Sequence, residues 1–524
     1  MTSSGINGDI RQSKHHDSAV KHVSGRAVYV DDMVTPANLL TVLIGQSSYA
    51  YAKITRIDLS AVAEAPGIVA VMTAADIPGT NDCGPAIHDD PVFAVDEVCY
   101  VGQSLFAIAA VDMAAARAAI GLAVIEYHPL PVILTIDAAM EAKSWLASPS
   151  EMIKGDTQSA LAKAPHELRG RVCAGGQEHF YLEGQAALAI PQEDTEMVVH
   201  SSTQHPSEIQ HKVAEALGLG LQDVRVEVRR MGGGFGGKES QGNALAVSCA
   251  VAAQMTKAPC KMRYDRDDDM MITGKRHDFR IEYAAGFDDE GRLSGVSFVH
   301  YARCGWAQDL SLPVADRAML HADNAYHLLH CRIESHRLKT NTQSATAFRG
   351  FGGPQGMLGI ERLMDHVAHH LGVDPLTIRQ RNYYRDANAS DAAAPPAHRA
   401  VQTTPYGMEV KDFVLNEMTE ALVESSDYHA RRAALREWNA SSRILKKGLA
   451  LAPVKFGISF TLSHLNQAGA LVHVYQDGTI RMNHGGTEMG QGLFQKVAQV
   501  AAQCFGVSIE QVKITATDTA KVPN

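Results

Sequence analysis

Eight cysteines lie singly along the 524 residues, and no C-x-x-C pair occurs anywhere. That spacing excludes a zinc ribbon and cysteine-held iron–sulfur clusters, and it leaves the thiols as small hydrophobes of a reducing compartment. No apolar run approaches the roughly 18 residues that a membrane-spanning helix needs. The first 22 residues are polar and rich in Ser, Gly and His, without the apolar centre of a secretory signal. A cytoplasmic protein is therefore expected, with residues 1–20 as a disordered leader. Positive charge is also short: 48 Lys and Arg against 58 Asp and Glu leave a net charge of -10, which excludes a general nucleic-acid binder. The 24 histidines show no metal-ligand spacing, and the adjacent pairs His15-His16 and His369-His370 read as solvated or core side chains.

What the chain does have is length and glycine. At this length several cores are expected, and the patterning supports an α/β (α+β) organisation of two to four domains. Residues 21–140 alternate short strand-like runs with helical ones, a mixed α/β domain. A polar Ala/Ser-rich stretch over 137–157 reads as a connection to a second large unit over 158–385. Within that unit, Phe279-Arg280-Ile281-Glu282-Tyr283 and residues 293–299 predict a hairpin turned through Asp288-Asp289-Glu290-Gly291. A linker over 385–404 leads to a third unit, 405–524.

Glycine-rich loops that open helices occur three times, at 231–237, 349–356 and 485–492. Before the first, Val224, Val226 and Val228 alternate with charged residues as in a half-buried strand, and after it residues 241–255 carry no charge, as in a helix buried all round. After the second, Met357, Ile360, Met364, Val367 and Leu371 fall at helical spacing, with Pro354 suited to a first turn and Gly372 to a C-cap. After the third, Leu493, Val497, Val500 and Cys504 do the same. Each loop read alone is a tight turn, whereas together they predict one large anionic ligand held at several helix N-termini. A nucleotide phosphate loop fails on one residue: Gly232 and Gly237-Lys238 satisfy G-x-x-x-x-G-K, but the next position is Glu239 instead of the hydroxyl that Mg²⁺ needs. The G-x-G-x-x-G match in so glycine-rich a run is uninformative.

Segments 177–183 (QEHFYLE), 231–239, 347–355, 455–460 and 485–493 closely resemble the molybdenum-binding part of the xanthine dehydrogenase family, and 24–32 with 92–103 resemble its preceding hammerhead domain. The resemblance covers nearly everything after residue 20. It implies a hammerhead domain at 21–140, a first molybdenum cofactor-binding domain at 158–385 and the start of a second at 405–524. It also implies a bacterial-type large subunit binding Mo-molybdopterin, in a hetero-oligomer whose partner subunit holds [2Fe-2S] clusters, FAD and NAD. The metal is then held by the pterin dithiolene, which accounts for the missing His/Cys ligand cluster. On this resemblance Gln204 contacts a molybdenum ligand, the Phe235-Gly236 turn passes over the metal, Arg349 lies beside the cofactor and Gln491 grips the pterin. Glu239 and Arg317 correspond to the pair that hydrogen-bonds opposite edges of a purine, Phe351 and Phe460 to the rings that sandwich it, and Thr461 to a nearby polar contact. Aldehyde oxidases generally lack that acid and base, so hypoxanthine or xanthine is the expected substrate, with an aldehyde oxidase type as the alternative. Copper-dependent carbon monoxide dehydrogenases use a loop cysteine, and Phe348-Arg349-Gly350-Phe351 has none. The family's general-base glutamate and a Ser/Ala-rich pterin loop are expected beyond the position of Asn524. The chain alone is accordingly expected to be inactive, the alternative to an enzyme being a non-catalytic remnant that retains only partner binding.

Overall fold

The computed structural model describes residues 10–385, 401–458, 460–461, 466 and 468–524. Its centre is an eight-stranded mixed sheet in the order Thr517–Asp518, Val224–Val228, Met197–Ser201, Ala186–Pro191, Cys260–Arg263, Leu40–Gln46, Ser104–Ala110 and Ile68–Met72. The sequence explains the strand types. Val224–Val228 buries its valines and turns Arg225 and Glu227 outward, whereas Ser104–Ala110 is buried at every position, as its unbroken apolar run requires. The helix Asn243–Thr256 follows the first glycine loop and is covered nearly all round by this sheet's core.

A five-stranded sheet, in the order Trp145–Lys154, Cys331–Lys339, Leu293–Gly305, Asp278–Phe287 and His166–Ala174, forms the second layer. The expected hairpin is its middle, antiparallel pair, and Gly291 closes the turn with φ 80° and an N–H donated to the Asp288 carbonyl at 2.9 Å. The helix Gly353–Leu371, with Pro354 in its first turn and left-handed Gly372 as its C-cap, lays Ile360, Leu363, Met364 and Val367 on this sheet. Two three-stranded sheets complete the fold, one of residues 52–58, 97–98 and 124–129, the other of Ala470–Val474, Ile480–His484 and Val512–Ile514. No helix among the described residues is long and apolar enough to cross a membrane.

Leu40–Gln46 runs parallel to Cys260–Arg263, with Leu40 opposite Cys260, so three strands of residues 21–140 extend the sheet of the next unit. Three expectations change. The presumed connection 137–157 contains the helix Ile136–Glu141 and the edge strand Trp145–Lys154, whose Pro149 is tolerated because an edge strand has one unpaired side. Residues 10–20 are not a free leader, because Arg229 pairs with Asp17 at 2.7 Å and Arg230 donates to the Ser18 hydroxyl at 3.3 Å. The helix Leu493–Phe505 buries Phe494, Ala498, Ala501 and Ala502, leaving Val500 and Cys504 exposed, because the small core of Ile480 and Val512 accepts the alanine-rich face. Of the linker 385–404, residues 386–400 lie outside the described residues.

Candidate functional site

The first glycine loop leaves Val224–Val228 and turns back on itself before Asn243–Thr256. Phe235 and Gly236 both have positive φ, 55° and 97°, so the turn lies in backbone space that non-glycine residues rarely hold. A side chain at Gly236 would put its Cβ 2.7 Å from the Ala347 carbonyl oxygen. The Gly236 N–H donates to Gln204 Oε1 at 2.8 Å, so that amide anchors the turn. Lys238, the lysine of the apparent phosphate-loop pattern, is fully buried and pairs with Glu183 at 3.1 Å, facing away from any phosphate.

The other two loops dock directly on this one. Arg349 N–H donates to the Phe235 carbonyl and Met231 N–H to the Glu488 carbonyl, each at 2.8 Å. Together they enclose a cavity of about 1210 Å³ whose lining includes Gln204, Phe235, Gly236, Arg349 and Gln491. All five residues expected to hold a cofactor are thus brought to one cavity. Residues of the N-terminal segment, His16, His22 and Tyr29, form part of the same wall.

The third loop is not an open anion site. The buried Glu488 carboxylate already accepts from the N–H groups of Gly490, Gly492 and Phe494 at 2.9, 3.1 and 3.1 Å, occupying the N-terminus of Leu493–Phe505 with its own charge. Gln491 is held by its own loop, donating to the Thr487 carbonyl at 2.9 Å and accepting from Met489 N–H at 2.7 Å. Among the described residues, one group of side chains has donor atoms close enough to share a cation: His16, Asp17 and Glu488. Those donors are spent, since Ser18 N–H donates to His16 Nδ1 at 3.0 Å, Asp17 pairs with Arg229 and Glu488 caps the helix. A large cofactor bringing its own metal ligands fits this cavity, whereas a metal bound by protein side chains does not.

The residues expected to face substrate lie outside that lining. Arg317, on Ser311–Leu320, is buried, donates to the Gly457 carbonyl, and sits 5.6 Å from the centre of the Phe351 ring and 5.2 Å from that of Phe456. Phe351 and Phe460 are in contact with each other, centroids 5.2 Å apart and planes at 61°. They meet edge to face, so the parallel slot expected for a flat ring is closed in this conformation. The Thr461 hydroxyl is buried and has no hydrogen-bond partner among the described residues.

Glu239 lies in a cluster of acids. Burial of its surroundings and the nearby Glu208 carboxylate push its carboxyl up to about 7, against the opposing effect of His205. Buried Asp309, which accepts from Ser240 Oγ and from Gln241 Nε2 at 3.2 Å, is also raised to about 7, chiefly by desolvation. The unfolded chain keeps the ordinary value near 3.8 for Asp309, so the folded form retains its proton longer as pH rises. The resulting stability is present in acid and is lost progressively as the pH climbs to about 7. Asp309→Asn, which keeps an acceptor for Ser240, is expected to flatten that slope. Urea midpoints at pH 5 and pH 8 should differ less in the variant than in the parent, and equal differences would sink the assignment.

Two supporting residues escaped the sequence reading. Glu183 and Glu488 each bind backbone N–H groups of a glycine loop, yet nothing in their spacing distinguishes them from solvated glutamates.

Among the described residues, three glycine loops wall a cavity of about 1210 Å³ beside the mixed sheet, room enough for a bulky cofactor. Comparison with known proteins specifies it. Residues 24–131 match the aldehyde oxidase and xanthine dehydrogenase a/b hammerhead domain, and 141–383 and 421–524 match molybdopterin cofactor-binding domains. The chain is 41% identical over 515 residues to the xanthine dehydrogenase of Dictyostelium discoideum, covering 98% of this chain and 37% of that protein. It is 41% identical over 510 residues to xanthine dehydrogenase/oxidase of Gallus gallus, covering 97% of this chain and 36% of that one. The structure of quinoline 2-oxidoreductase from Pseudomonas putida 86 superposes with a TM-score of 0.85 at 22% identity, covering 98% of this chain and 67% of that chain. The chain thus carries the hammerhead domain and the two molybdopterin cofactor-binding domains, and it matches the molybdenum-binding region of xanthine dehydrogenases. It spans little more than a third of the length of those curated relatives.

Proposed function

We propose that the protein to which this chain contributes the molybdopterin-binding region hydroxylates purines, converting hypoxanthine and xanthine towards urate. The observation that carries this reading is the meeting of three glycine loops around one cavity lined by Gln204, Phe235, Gly236, Arg349 and Gln491. When bound, the molybdenum cofactor supplies the centre that exchanges oxygen and an electron pair with substrate. Gln204 and the Phe235-Gly236 turn would face the metal, with Arg349 and Gln491 beside the pterin. A partner carrying [2Fe-2S] clusters and FAD, passing electrons to NAD, completes the assembly as a hetero-oligomer in the cytoplasm.

Substrate choice is assigned to Glu239 and Arg317. A carboxyl near 7 can present either a donor or an acceptor to a ring nitrogen at neutral pH, and a desolvated guanidinium stabilises negative charge on the heterocycle. Phe351 and Phe460 would leave their mutual contact to admit a flat ring between them. The aldehyde oxidase type remains the second reading, supported by the hammerhead family description. The test is molybdenum and pterin content together with turnover of xanthine and of an aromatic aldehyde by the purified holoenzyme. Stoichiometric cofactor with xanthine preferred supports the proposal, an aldehyde preference favours the second reading, and absence of cofactor rejects both.

A further inference from the structure

The QEHFYLE segment carries a job that the proposed chemistry leaves unassigned. Residues 179–185 belong to no strand, Phe180 has a positive φ of 51°, and the side chains alternate sharply between inward and outward. His179, Tyr181 and Gln185 are buried at 6%, 1% and 1% exposure and the Glu183 side chain at 10%, while Phe180 and Leu182 are turned out at 60% and 90%. Every inward residue takes hold of a glycine loop or its support. The His179 ring nitrogen Nε2 lies 2.7 Å from the Ala347 carbonyl, at the start of the second loop. Gln185 Nε2 donates to the Gly237 carbonyl at 2.7 Å and to the Tyr181 hydroxyl at 3.1 Å. Tyr181 lies beneath Lys238, whose ammonium is 4.7 Å from its ring centre.

Glu183 reaches both ends of the first loop with one oxygen. Its Oε2 accepts from Gly232 N–H at 2.7 Å and from Lys238 Nζ at 3.1 Å, while its own N–H donates to the Gly232 carbonyl at 3.2 Å. The approach is close enough that a Cβ on Gly232 would lie 2.5 Å from Glu183 Cβ. The loop between these two ends contains the strained Phe235-Gly236 turn, which needs external restraint to persist.

We propose that residues 179–185 act as a splint that fixes the first and second glycine loops relative to each other, with Glu183 as the positioning residue that closes the first loop end to end. The inference gives a role to residues around the site described above, but its test does not require that the cavity bind a pterin. Removing Glu183 alone would strand the buried Lys238 ammonium, so the informative variant replaces both members by apolar groups of similar size, Glu183→Leu with Lys238→Met.

Amide hydrogen exchange on the 524-residue polypeptide, with thermal unfolding in parallel, is the measurement. In the double variant, amides of residues 232–237 are expected to exchange at least tenfold faster, while those of Ser104–Ala110 keep their protection and the unfolding temperature moves little. Glu183→Gln, which retains an acceptor for Gly232 but loses the charge for Lys238, should give a smaller rise of about threefold in the same amides. Unchanged loop exchange in either variant overturns the proposal, as does a rise spread equally over Ser104–Ala110. Should the double variant not fold, the Glu183→Gln result decides by itself. Pterin content of the unsubstituted holoenzyme reports separately on cofactor binding, so failure there rejects the functional proposal and leaves the splint standing.

Discussion

Arg317→Met in the molybdenum-loaded holoenzyme is expected to lower kcat/KM for xanthine by about 10²–10³-fold, the cost typical of deleting one preorganised group that stabilises developing negative charge. For a small aldehyde, which places no such charge on a ring, the loss should stay below about tenfold. The position of Arg317 sets this difference. It is buried on Ser311–Leu320, between the Phe351 and Phe456 rings, and burial makes its electrostatic influence larger than that of a solvated arginine. Methionine preserves most of the volume, so the rings should keep their positions and the change should fall mainly on kcat. Steady-state kinetics on both substrates separate the outcomes: equal losses for the two would show that Arg317 supports the fold rather than selecting purines.

Gly236→Ala is expected to have the second large effect, and on a different quantity. The added methyl meets the Ala347 carbonyl oxygen at 2.7 Å, and the backbone at φ 97° is one that alanine resists. Such strain costs about 1–3 kcal/mol where the surroundings enforce it. Here the surroundings are Gln204, which accepts from the Gly236 N–H, and the second loop, whose Arg349 N–H reaches the Phe235 carbonyl. Relief of the strain must therefore break one of those contacts. The predicted result is a modest drop in the urea midpoint accompanied by a large drop in molybdenum and pterin per polypeptide. Full cofactor content in the variant would show that the turn can relax without opening the cavity. Gly490→Ala is a useful control, because no atom lies near a Cβ there, although its φ of 107° is also positive. A strain-only account predicts similar losses for the two variants, whereas the crowding of Gly236 predicts a clear excess for that position.

Gly236 and Gly490 look alike in the sequence and differ in their surroundings. Glycine-rich turns are visible in the sequence, and so are the helices they precede: Asn243–Thr256 from its uncharged composition and Gly353–Leu371 from its spacing, its Pro354 and its Gly372. Which glycine is crowded by distant backbone is not visible, since Ala347 is more than a hundred residues from Gly236. The inward set of residues 179–185 is likewise not visible: Phe180 and Leu182 face outward while His179, Tyr181, Glu183 and Gln185 face inward, because the partners inside are backbone groups and a lysine from distant parts of the chain.

The sequence by itself determined the elements with strong local signatures: the valine-alternating strand 224–228, the hairpin, the helices and the three glycine loops. Through its resemblance to a family it also marked Gln204, Phe235, Gly236, Arg349 and Gln491 as one group, and these residues line a common cavity. Only the tertiary structure decided that hammerhead strands extend the next unit's sheet, that His16, His22 and Tyr29 form part of the cavity wall, and that Glu488 fills the helix end expected to hold an anion. The physical reason is the same in each case. Local patterning records which face of an element is apolar, whereas strand order, loop docking and the use of a carboxylate as a cap depend on backbone groups brought together from far along the chain, and every residue type offers the same backbone groups.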